Sequence, residues 1–182
     1  MKEHISDLFT KIQGEASNLE NLLSKVPGLS GYMEKGKRRD ADQLLRETLA
    51  TRLDGIRLNF STVHQDISHD IIKAIDHAEP LGRADTLFNA VIGKIKDAPV
   101  GYAGFFDAVK VNEEDLARIY AFDESMITHV DQIEASTNAL TKAAKEDGDI
   151  GAGIRDLTAV LRQANETFSG RDEVIKGISE DI

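Results

Sequence analysis

Cysteine and tryptophan are both absent from this chain of 182 residues, there are only three prolines, and aromatic residues make up 5%. Without cysteine there is no disulfide staple, no thiolate zinc site, no iron–sulfur cluster and no cysteine nucleophile. So few prolines argue against a turn-rich fold of many strands. No run approaches the roughly 18 apolar residues of a membrane span. The opening Met-Lys-Glu-His-Ile-Ser-Asp also lacks the apolar stretch of a secretory signal. A cytoplasmic protein is the expectation.

What is present is enough for a core, with 41% hydrophobic and 30% charged residues. The length suits one domain, so residues 1–182 are expected to form a single helical bundle. Net charge is −10. An acidic chain repels phosphate backbones, so no nucleic-acid partner is expected. The first 60 residues are nearly balanced, and the acidic excess lies in residues 61–182.

Apolar residues recur in threes and fours along most of the chain, the spacing of one face of a helix. Ile5, Leu8, Phe9, Ile12, Leu19, Leu22, Leu23 and Val26 predict a helix over about 3–25, stopped by Pro27-Gly28. Leu45, Leu49, Leu53, Ile56, Phe60, Val63, Ile67, Ile71 and Ile75 predict one very long helix over about 38–78, ended by Glu79-Pro80-Leu81-Gly82. At 1.5 Å per residue it would be roughly 60 Å long. A short helix over 84–97 follows, and Pro99 terminates it. Asn112 suits an N-cap for a fourth helix reaching about Glu146, with Thr137 taking an inward place between Ile133 and Leu140. Residues 147–153 are expected to be a loop, and the last helix begins near Ile154, with Val174, Ile175 and Ile178 extending its pattern past Gly170. No period-two alternation marks a strand. The fold class predicted is all-α: an elongated antiparallel bundle of about five helices, one or two of them long. The same spacing suits a coiled coil between chains, so self-association is open.

Asp66 and His69 share a helix face, as a carboxylate–histidine metal bundle requires. A second Glu-x-x-His is missing, and Glu124 and His129, five apart, do not share a face. Asp66, His69, Asp70, Lys73 and His77 are read as a solvated stripe beside the isoleucines. Ser125 and His129 lie four apart without a nucleophile elbow around them. Asp131 and Glu134 are read as solubilising helix charges. Gly148, Gly151 and Gly153 precede a helix, but no strand and no Gly-Lys-Ser/Thr accompany them, and Asp147 and Asp149 would repel phosphate. They are read as a flexible connection.

Two segments stand out as partner-binding candidates. Tyr32, Lys35, Lys37, Arg38 and Arg39 concentrate positive charge in a glycine-flanked turn, on a protein of net charge −10. Tyr102, Phe105 and Phe106 form an aromatic cluster that either plugs the bundle end or docks a partner. The function expected is that of a non-enzymatic interaction or scaffold protein, with no cofactor, no metal and no small-molecule substrate. A protein partner or self-association is expected, and a membrane surface is the less favoured partner. The alternatives are a ferritin-like metal bundle using Asp66, His69 and His77, or a peripheral membrane or coat-like protein.

Overall fold

The computed structural model describes residues 38–97 and 113–180, and the side chains of residues 43–97 and 121–170. These residues form four α-helices and no strand: α1 Arg38–His69, α2 Ile71–Asp97, α3 Glu113–Lys145 and α4 Ile150–Glu180. The all-α expectation holds. The expected helix over 3–25 and the segment 99–112 lie outside the described residues.

Each helix buries the stripe its sequence carries. On α1 the stripe of large buried side chains is Leu45, Leu49, Leu53, Ile56, Phe60, Val63 and Ile67, steps of three and four that keep one face inward, and from Leu49 on they alternate. On α4 they are Ile150, Ile154, Leu157, Leu161, Ala164 and Phe168, with the same alternation. Leu81, Ala84, Phe88, Val91, Ile92 and Ile95 do this for α2, and Phe122, Met126, Ile127, Val130, Ile133 and Leu140 for α3. All belong to one continuous core. Burying each Leu, Ile or Phe stabilises the fold by roughly 1.5–3 kcal/mol. Thr137 takes its inward place, and its hydroxyl donates to Ile133 O at 2.8 Å, so the buried polar group is satisfied.

Helix α1 packs against α2 and α3, and α4 packs against the same two. Phe60 meets Phe88 with ring centroids 5.3 Å apart, while the earlier Asp54 meets the later Lys96 at 2.7 Å. Helices α1 and α2 are therefore an antiparallel hairpin. Helices α3 and α4 are a second one, since Leu140 adjoins Gly153 and the earlier His129 bonds the later Thr167. The hairpins stand side by side. Both turns lie at the same end, where Lys73 Nζ is 3.4 Å from Asp147 Oδ1.

Two boundaries correct the sequence expectation. The long helix ends at His69, not near Ala78, so α1 is about 48 Å long. The cause is Asp70, whose Oδ1 accepts from the amides of Ile72 at 3.0 Å and Lys73 at 3.2 Å and so caps a new helix. Pro80 does not end that helix but lies inside it, and the expected short helix over 84–97 is its second half. Ile71 and Ile75, expected inward, are 76% and 78% exposed. The second boundary is at the turn between α3 and α4. Asp147 adopts a left-handed φ of 53°, Gly148 N donates to Ala143 O at 2.8 Å, and Asp149 Oδ1 accepts from Ala152 N at 2.8 Å. Helix α4 therefore starts at Ile150, and Gly151 and Gly153 belong to it, not to the loop.

Candidate functional site

Polar side chains along the helix seams join the helices. Arg57 forks onto Asp85 at 2.9 and 3.1 Å and ties α1 to α2. Arg52 ties α1 to α3 by bonding Asp131 at 2.6 Å and Glu134 at 3.1 Å. Partial burial lowers the pKa of Arg52, but its hydrogen bonds to Glu134 and Asp131 outweigh this and hold it above the ordinary arginine value. Asp131 and Glu134 are thus an interhelical clamp and not merely solubilising charges. Asn165 Nδ2 donates to Leu87 O at 3.1 Å and Lys94 Nζ to Asn165 O at 2.9 Å, joining α2 to α4. His129 is buried, with Nε2 3.0 Å from Thr167 Oγ1 and Nδ1 3.3 Å from Gln132 Oε1. Both ring nitrogens are engaged, so this histidine fastens α3 to α4.

The surface left over has two unusual features. The first is at the turn end of α2, where Ile71, Ile72 and Ile75 are 76%, 75% and 78% exposed. The second is an open groove of about 540 Å³ between α2 and α4. Pro80 and the buried Ile154 give it an apolar part, and Arg83, Arg155 and Arg162 give it positive charge. Arg83 pairs with Glu79 on its own helix at 3.1 Å.

The residues singled out in the sequence are distributed differently. Tyr32, Lys35, Lys37, Tyr102, Phe105 and Phe106 lie outside the described residues. Arg38 and Arg39 open α1, and their side chains are likewise outside them. Asp66 and His69 are exposed on the last turns of α1, while His77 is half-buried on α2 and faces Gly151. Among the described residues, no group of three or more histidines and carboxylates is placed to hold a metal ion. No helix among them is long and apolar enough to cross a membrane.

No family model matches the chain, and no curated protein or solved structure is significantly similar to it. The groove escaped sequence reasoning because its arginines come from two helices distant in sequence. One signal was available: Arg155 and Arg162 are seven apart, hence on one face of a helix, in the acidic part of the chain. The isoleucine cluster was hidden by a periodicity that runs unbroken through Asp70.

Proposed function

We propose that the chain is a non-enzymatic, cytoplasmic interaction or scaffold protein, an elongated antiparallel bundle of about five helices acting through helix surfaces and loops. The exposed cluster of Ile71, Ile72 and Ile75 is the observation that carries this reading. At 3.6 residues per turn, positions i, i+1 and i+4 fall within an arc of about 100° on one flank of α2. Each isoleucine left in water forgoes roughly 1.5–3 kcal/mol of burial. A contiguous apolar patch of this kind is typical of a surface that another protein covers. A second copy of the chain or an apolar face of another protein suits it. Tyr32 to Arg39 and Tyr102 to Phe106 serve as further contact segments in the same reading.

The test is a triple replacement, Ile71→Ser, Ile72→Ser and Ile75→Ser, in the full chain. These side chains contribute little to the core, so the melting temperature should hold. Sedimentation velocity should show an oligomer in the wild type that falls to monomer in the variant, or affinity capture should show a prey that only the wild type retains. If oligomeric state and prey are both unchanged, the cluster is not the interaction surface.

A further inference from the structure

We infer that the groove between α2 and α4 is a binding site for a phosphate-bearing small anion, held by Arg155, Arg162 and Arg83. This goes beyond the isoleucine surface and does not depend on it.

Charge is the first observation. The groove lies in the part of the chain that carries the acidic excess, yet three arginines line it against one carboxylate, Asp76. Arg52 and Arg57 are each matched by carboxylates across a helix seam. Arg155 and Arg162, by contrast, make no ion pair among the described residues, although acids outnumber bases 32 to 22 in the chain. Seven residues apart, they stand two turns and about 10.5 Å from each other on one flank of α4. Contacts of His77 with Gly151 and of Asn165 with Leu87 set the register of the two helices. That register puts Arg83 at a level between the two. The three arginines thus follow one another along the groove, each carrying the guanidinium whose planar fork matches phosphate oxygens.

Shape is the second observation. A side chain at Gly151 would begin 3.3 Å from Arg155 Nη1 and 3.7 Å from His77 Cε1. The glycine leaves these two groups room to converge at one end of the groove. Asp149 Oδ1 lies 3.4 Å from the same point, but it is engaged in capping α4 through Ala152 N. A volume of about 540 Å³ falls within the range of roughly 300–1,000 Å³ that small-molecule sites occupy. Pro80 and Ala159 offer an apolar wall to the organic part of such a ligand.

Inorganic pyrophosphate titrated into the full chain by calorimetry at low ionic strength tests the site. Saturable binding is expected in the wild type, weakened by about a hundredfold in the Arg155→Gln, Arg162→Gln double variant, since each lost charge-assisted bond is worth a factor of about ten. Gly151→Ala should weaken binding as well, while the melting temperature holds or rises. Vesicles of phosphatidylcholine carrying phosphatidylinositol bisphosphate distinguish the source of the phosphate. Co-sedimentation with these vesicles, absent with plain phosphatidylcholine and lost in the double variant, assigns a lipid headgroup. Pyrophosphate binding without vesicle binding assigns a free phosphate compound. No saturable binding of either probe, or equal binding by wild type and double variant, overturns the inference.

Discussion

Gly151 and Gly153 stand two apart in α4 and carry opposite expectations. A Cβ at Gly153 would lie 3.1 Å from Leu140 Cδ1 and 3.3 Å from Leu140 Cα. The second of these is backbone and cannot move without pushing α3 away from α4. Gly153→Ala should therefore cost about 1–3 kcal/mol, the usual range for overpacking a close contact. At Gly151 the nearest atom, Arg155 Nη1, is the end of a flexible side chain that can turn aside, and Asp149 Oδ1 and His77 Cε1 are at ordinary contact distance. Gly151→Ala should hold or gain about 0.4–1 kcal/mol, because alanine restricts the unfolded chain. Paired thermal melts followed by circular dichroism check this. A Gly153→Ala variant that melts at or above Gly151→Ala would contradict the close approach of α3 and α4. Composition alone could not separate the two glycines. In the sequence they look like a flexible connection with Gly148, because Asp149, which caps the helix, resembles a loop residue until its bond to Ala152 is seen.

At the scale of elements, the buried stripes were legible and one boundary was not. Periodicity identified the inward faces of α1 from Leu45 to Ile67 and of α4 from Ile154 to Phe168, because packing in threes and fours is a local property. It failed at Asp70, where Ile67, Ile71 and Ile75 continue the spacing although the chain turns back. Proline was the misleading cue and aspartate the correct one. Pro80 is the tenth residue of α2 and has no N–H to give to the carbonyl of Asp76. The burial of Leu81, Ala84 and Phe88 just beyond it anchors the helix through that gap. Replacing Pro80 with Ala should therefore stabilise the protein, by up to about 3 kcal/mol, the difference between the two residues in a helix interior. Replacing Asp70 with Ala should destabilise it by about 0.5–2 kcal/mol through loss of the cap. Denaturant midpoints should move in opposite directions, and amide exchange at Ile72 and Lys73 should speed up in Asp70→Ala. A lowered midpoint for Pro80→Ala would restore proline as the end of a helix.

For the whole molecule, net charge and local charge act over different ranges. The chain carries −10 in total, so a large polyanion approaching from a distance meets repulsion. A small anion inside the groove meets Arg83, Arg155 and Arg162 first. At about 0.1 M salt the Debye length is about 10 Å, similar to the length of the arginine row, so the surrounding acids are largely screened from a ligand seated there. A nucleic-acid duplex is far longer than that row and must lie across acidic surface as well. The net charge read from the sequence therefore predicts the absence of one partner but says nothing about the other, which only the pairing of α2 with α4 creates. At near-physiological salt, a labelled duplex titrated with the full chain should show no rise in fluorescence anisotropy, while pyrophosphate should still bind by calorimetry. Raising the salt should weaken pyrophosphate binding without bringing the duplex on. A duplex that binds and is displaced by pyrophosphate would mean that the groove reads a phosphate backbone. Local charge would then outweigh the net charge of the chain, and both the exclusion of nucleic acid and the small-anion assignment would fall together.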